Sequence, residues 1–442
     1  MSLLDALLLD PHRINVWIAY RTDGVKGSGT QSDPYDGHTA ALFDARMSEL
    51  ATNTCVHLGP GTFQTAGYAD GLAAWQAKSG LKLVGSGIDV TTLQLANGTG
   101  SSYRFYVVGH ALTSTPVDFV EVSDLTVDCN LGSLNGATST AGAVRLMGNH
   151  CRVVRVKVKN WGNMSTGTEG FVIAMLTGDP SQGVNGVTNC GVEECIAVDP
   201  HGSAAGKVTV LHCGGKEDAT SATEAFGLGP YIRNCFVDCG QTTDFSKEFR
   251  GLSMAWCKGG VVEGNQVHNT KFGGPYQAAT GARDLVVRNN VYRNVFRGPY
   301  WNVDSQGVQQ LLVEGNSVDL AAGAGGTDYA IELKASGTPY VHGNVLIRDN
   351  RIRYVDGGSG SANGIRVQNA HSLFVRENVL DVAPAQPEDP LSNQDCESAA
   401  YFGNKTPGGV LLQGYNENNS KRYDELETEA EDALVLALFN RR

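Results

Sequence analysis

The chain has 442 residues, a length that ordinarily divides into two or three domains, but 55 glycines and only 18% charged residues suit a fold made of many tight turns. With 34 Lys and Arg against 46 Asp and Glu, the formal net charge is −12. No basic tract neutralises phosphates, which argues against nucleic acid as a partner, and no run reaches the roughly 18 apolar residues that span a bilayer.

The N-terminal stretch Met1 to Asp10 is apolar but has no basic leading region and carries Asp5 inside a very short run. It does not read as a cleaved signal peptide, so the expectation is a soluble chain: cytoplasmic, unless it is virion-associated or reaches the exterior by a non-classical route. Residues 1–13 read as a short helix ended by Pro11, with Leu3, Leu4, Leu7 and Leu8 on one face. Such a face needs a cover, either as a cap over the first turn of the fold or as an anchor to another subunit or particle. Asn15 to Tyr20 is a strand, followed by Asp23-Gly24, the turn Gly27-Ser28-Gly29-Thr30, and Asp33-Pro34-Tyr35. Ala40 to Leu50 has helical spacing through Ala41, Phe43, Met47 and Leu50. Cys55 to Phe63, Leu81 to Gly87 and Thr91 to Leu95 alternate strands with Pro-Gly and Gly-x-Gly turns. Gly85-Ser86-Gly87 lacks the third glycine before a helix, which removes a dinucleotide reading.

From about residue 192 a phrase returns. Val262-Glu263-Gly264-Asn265-Gln266-Val267 reappears around Asn290, Asn316, Asn350 and Asn378, at intervals of 25, 26, 34 and 28 residues. Cys235 and Cys195 occupy the Asn slot in two earlier copies, and Val156 and Leu125 occupy it in two more, giving about nine turns. A period of this size, rich in β-branched residues and too short between turns for a helix, predicts a solenoid of strands. Stacked at roughly 4.8 Å, the Asn side chains can bond one to the next, so they should form a structural column at an inward bend. Residues 165–191 and 203–230 are rich in Gly, Ser and Thr and are expected to be loops leaving the coil.

Beyond residue 382 the prolines of Ala383 to Pro390 interrupt stacking, and Val410 to Leu412 offers one further imperfect coil. Tyr423 to Phe439 reads as a helix, acidic at its start, with Leu426, Ala430, Leu434 and Leu438 on one face. The expected organisation is therefore 1–50 for the N-terminal helix, opening strand and capping helix, 51–382 for the coil, 383–422 for a Pro/Gly/Asn-rich linker with a final coil, and 423–442 for a C-terminal helix.

These repeats, with the opening segment of strand, Asp-Gly, Gly-Thr and Pro-aromatic, resemble the right-handed parallel β-helix proteins of the pectate-lyase-like superfamily, which includes polysaccharide lyases, glycoside hydrolases and phage tailspikes. The resemblance covers about 350 of the 442 residues. It implies an all-β solenoid, a single-stranded right-handed parallel β-helix with short terminal helices. It also implies a polysaccharide or surface-glycan partner and a homotrimer attached to a phage or phage-like particle, with a non-catalytic structural or particle-associated module as the alternative. The superfamily's calcium-dependent lyase site has no counterpart here, so no metal and no cofactor are expected.

The ten cysteines show no zinc-knuckle spacing and are expected to be free, mostly buried thiols. Chemistry is expected on three late turns, where Tyr300 to Ser305, Ala330 to Ala335 and Ile365 to Gln368 align. If Ile331, Leu333, Ile365 and Val367 point inward, alternation turns Asn302, Asp304, Glu332, Lys334, Arg366 and Gln368 outward. Asp304 and Glu332 then form a carboxylate pair suited to glycoside hydrolysis, and a basic residue beside a uronate suits lyase elimination. Lys334, Arg366, Asn302, Gln368 and Trp301 would bind substrate. Tyr300, Tyr276 and Trp256 are further aromatics that can either stack on sugar rings or fill the core. The same charges also make an ordinary cross-strand ion-pair ladder.

Overall fold

A coil that turns every 25 to 34 residues must bend sharply several times per turn, and each bend must satisfy its buried backbone groups. The structure, a computed structural model, describes residues 14–69, 72–97, 104–110, 116–134, 140–164, 169–176, 188–202, 206–214, 227–241, 245–278, 282–303, 307–321, 329–335, 342–354, 363–381, 391–412, 414–416 and 421–423. It divides into two compact units, residues 1–213 and 214–442. Both are runs of parallel strands wound as a right-handed β-helix.

In the first unit, strand Ile14–Ala19 pairs in parallel with Thr54–Leu58, and that strand with Lys82–Val84. Glu121–Asp128 and Arg152–Lys159 continue the same face, with Leu125 opposite Val156. Helix Ala40–Glu49 is N-capped by the Thr39 side chain and buries Phe43 and Met47. Phe43 packs on Phe63 and Trp75 at ring separations of 5.9 and 6.3 Å, which fixes the helix against the opening coils.

In the second unit each coil lays down three strands. One coil, for example, is Ala282–Arg288, Val291–Arg297 and Tyr300–Val303. The Asn column forms at the bend between the first two strands. Asn265, Asn290, Asn316, Asn350 and Asn378 are all at most 1% exposed, and each donates its amide N–H to the amide oxygen of the next at 2.9 Å. The column runs one coil further than the sequence phrase, because Asn378 also donates to Asn404 at 2.9 Å. At its other end Cys235 takes the slot and donates its backbone N–H to Asn265 at 3.0 Å. Each amide oxygen in the column also accepts the backbone N–H of the preceding Asn, so the side chains tie one coil to the next.

The residue before the column is left-handed in every coil: Asn234, Gly264, Asn289, Gly315, Asp349, Glu377 and Gly403 have φ between 53° and 67°. That conformation favours Gly, Asn and Asp, which explains why the slot ahead of the Asn varies only among small polar residues, Gly and a single Glu.

Three expectations change. Residues 165–191 and 203–230 are not wholly loop, since Glu169–Leu176 and Lys207–Gly214 are strands, the former in parallel register with Thr140–Met147. Averaging Gly, Ser and Thr over a long segment hid eight-residue apolar runs. The coil beyond residue 382 is built from Leu391–Gln394 and Ser398–Phe402, upstream of Val410 and Leu411, which are exposed. Tyr423 ends a short strand, Lys421–Tyr423, antiparallel to Gly414–Asn416. The rest of the expected C-terminal helix, the N-terminal helix of residues 1–13 and the prolines of 383–390 lie outside the described residues.

All ten cysteines are free and nine are buried. Among the described residues no helix is long and apolar enough to cross a membrane, and no cluster of His, Cys, Asp and Glu is arranged to hold a metal ion.

Candidate functional site

The third strand of each coil in the second unit carries the predicted site residues. Ile331, Leu333, Ile365 and Val367 are inward, at most 1% exposed, so the alternation expected from the sequence holds. Cα register places Tyr276, Tyr300, Glu332, Arg366 and Ser392 in one outward column. The next outward column contains Asn302 opposite Lys334, and Gln368 opposite Gln394. Asp304 lies outside the described residues.

Trp301 falls opposite Leu333 in the inward column and is fully buried, so its ring belongs to the core and presents no face to a ligand. Trp256 is buried likewise. Tyr276 and Tyr300 belong to the outward side. Their rings stack on each other 5.4 Å apart, with Phe272 against both.

Glu332 is 2% exposed although alternation turns it outward, because two arginines close over it. Arg297 Nη1 lies 3.2 Å from one carboxylate oxygen and Arg366 Nη1 lies 3.8 Å from the other. Arg297 comes from the end of the second strand of its coil and reaches round the corner of the helix. Arg250, Phe272 and Arg297 form a column along that corner, in register on successive coils. Each guanidinium rests on an aromatic ring: Arg250 on Tyr276 at 3.9 Å, Arg297 on Tyr300 at 4.6 Å and Arg366 on Tyr329 at 5.2 Å. Arg250 also meets Glu248 at 2.5 Å. Farther along, Gln368 donates to Gln394 Oε1 at 2.6 Å and Arg366 donates to the same oxygen at 3.4 Å.

The result is a strip of guanidinium, carboxylate and amide groups held on an aromatic backing, with Lys334 exposed and Asn302 half-buried at its edge. Glu332, Arg366, Lys334, Asn302 and Gln368 all stand on it. Arg250, Arg297 and Tyr329 were not foreseen. Arg297 ends a strand whose own alternation gives no hint that its side chain crosses a corner to another face. The available signal was local to Arg297, which stands three residues before Tyr300.

Neither a family model nor a curated protein sequence matches the chain. Among solved structures it is similar to the surface protein and adhesin PfbA of Streptococcus pneumoniae, at 12% identity over 82% of this chain and 90% of that one, with a TM-score of 0.52. It is also similar to the family 28 exopolygalacturonase of Yersinia enterocolitica, at 10% identity over 93% of this chain and 79% of that one, with a TM-score of 0.51. One of these proteins is named for adhesion and the other for an enzymatic activity, so what they share with this chain is the coil. The chain has the right-handed parallel β-helix fold.

Proposed function

We propose that the protein is a glycan-directed β-helix that holds a polysaccharide along the strip centred on Glu332. The observation that carries this reading is the set of three arginines on alternate coils, each laid on a ring, with two of them gripping one carboxylate. Guanidinium groups fixed in this way offer N–H donors already in place, which lowers the entropic cost of capturing hydroxyls and carboxylates. Coils repeat at roughly 4.8 Å, close to the length of one pyranose along its chain, so successive coils address successive sugars. The adhesin and exopolygalacturonase names of two proteins with this fold support a surface-glycan role.

Cleavage through Asp304 and Glu332, with Lys334 or Arg366 holding the substrate, is the enzymatic form of the reading, as a lyase or a glycoside hydrolase. It is tested by screening bacterial and plant polysaccharides for binding, for reducing-end release and for unsaturated-uronate absorbance. Wild type is compared with Asp304→Asn, Glu332→Gln and Arg297→Ala. The expected result is binding weakened at least tenfold by Arg297→Ala and by Glu332→Gln while the far-UV spectrum is unchanged. Turnover abolished by Asp304→Asn with binding retained makes the protein a depolymerase; binding without turnover makes it a non-catalytic module. Indifference of binding to both strip variants defeats the proposal. The particle-attached homotrimer is part of the same reading, and light scattering that gives a monomer at micromolar concentration removes it.

A further inference from the structure

A second polar surface lies on the face that leads into the Asn bend. There three successive coils of the second unit place two residues between inward ones: Arg283 and Asp284 between Ala282 and Leu285, Gln309 and Gln310 between Val308 and Leu311, Gly343 and Asn344 between His342 and Val345. Asp284 and Gln310 have φ of 54° and 58°, so the strand kinks and two neighbouring side chains, not one, stand on the solvent side. Cα register aligns Lys258 with Arg283 and Arg283 with Gln309. The pairing of His342 with Ala370 and of Asn344 with Ser372 then sets Gly343 beside His371.

Gly343 is the one position in this column without a side chain, and the Gln309 amide lies over it, with Oε1 2.2 Å from where a Cβ would stand. Around it is a groove of about 490 Å³ that extends from Lys258 to His371. Among the described residues its lining holds no Phe, Tyr or Trp, in contrast to the Glu332 strip. Lys258 and Arg283 supply positive charge at one end, and the amides of Gln309, Gln310 and Asn344 supply donors and acceptors in the middle. His371 forms the far wall and is paired with Glu397. Asp284 is the one carboxylate in the lining.

We infer that this groove is a second glycan site, which takes an anionic oligosaccharide lying along the coil axis, about four sugars long. Four coil steps at roughly 4.8 Å give about 19 Å, a span that suits such a ligand. Without a Phe, Tyr or Trp face to stack on, recognition falls to charge and hydrogen bonds, and the cations at one end demand a carboxylate there. On a chain of formal charge −12, a polyanion concentrates where cations gather, as Lys258 and Arg283 do here. The inference rests on the glycan-directed reading for its class of ligand but uses a different face.

The test is titration calorimetry of the full chain with tetragalacturonate and with cellotetraose as the neutral control. The variants are Lys258→Ala/Arg283→Ala, Gly343→Val and Arg297→Ala. Gly343 lies outside the left-handed region, so valine there brings no backbone strain and no change of charge, and it displaces the Gln309 amide into the groove. Tetragalacturonate binding should weaken at least tenfold in the double variant and in Gly343→Val, should persist in part in Arg297→Ala, and should fall with added salt. Binding lost only in Arg297→Ala keeps the strip and overturns the groove. Equal affinity for cellotetraose, or no binding of tetragalacturonate by the wild type, also overturns the groove; in the latter case the polysaccharide screen alone decides the fate of the strip.

Discussion

Replacing Asn316 by Ala tests whether the Asn column holds the coils together. The Asn316 amide oxygen accepts from the backbone N–H and from Nδ2 of Asn290, at 3.0 and 2.9 Å. Its own Nδ2 donates to Val287 O at 3.0 Å and to Asn350 Oδ1 at 2.9 Å. Asn350 Oδ1 keeps the backbone N–H of residue 316, so truncation strands chiefly the two donors of Asn290, at a site 1% exposed. At about 1–3 kcal/mol for each unsatisfied buried group, Asn316→Ala should cost about 4 kcal/mol, against less than about 0.5 for Lys258→Ala on the exposed surface. Aspartate has the same shape and can accept from Asn290 but cannot donate to Val287 O or Asn350 Oδ1. Asn316→Asp should therefore be at least as costly at neutral pH and should recover in part in acid, where a protonated carboxyl regains one donor. The measurement is urea unfolding followed by far-UV dichroism, with hydrogen exchange at the Asn290 amide as a local readout, because a solenoid need not unfold in one step. A loss under about 1 kcal/mol with the Asn290 amide still protected refutes the reasoning.

The left-handed bend makes a second prediction: Glu377→Asn should stabilise by about 0.5–1 kcal/mol, read as a raised urea midpoint, because Asn tolerates φ of 55° better than Glu. Buried His342 accepts the Val308 N–H at Nδ1, at 3.1 Å, and burial holds its pKa down to about 4. The unfolded chain takes up that proton below about pH 6.5, so this contribution is complete above 6.5 and disappears as pH falls towards 4. His342→Gln should flatten the pH dependence of stability across that window by up to about 3 kcal/mol, and an unchanged slope counts against it. Burial pushes the Cys239 and Cys257 thiols up to about 12, and Cys396 alone is half-buried. Ellman's reagent should then label one thiol quickly in the native chain and ten after denaturation; two or more fast thiols would contradict this packing.

The repeat around Asn265, Asn290, Asn316, Asn350 and Asn378 determined the solenoid by itself, because a buried amide that recurs at the same place in a β-branched phrase has few satisfiable homes other than a stack of its own kind. Period-two alternation likewise told Ile331 and Val367 from Glu332 and Arg366. It could also have assigned Trp301 to the interior, since Trp301 aligns with Leu333, but an aromatic beside a polar run reads equally as a sugar platform. The pairing of Glu332 with Arg366 followed from aligning the strands, but only the tertiary structure brought Arg297 onto Glu332, and Gly343 beneath Gln309. Those meetings depend on how far each coil travels before it returns, and the segments between strands differ in length from coil to coil. Alternation within a strand fixes the face on which a side chain stands, while the register between coils and the turn of a corner decide which residue lies across from it.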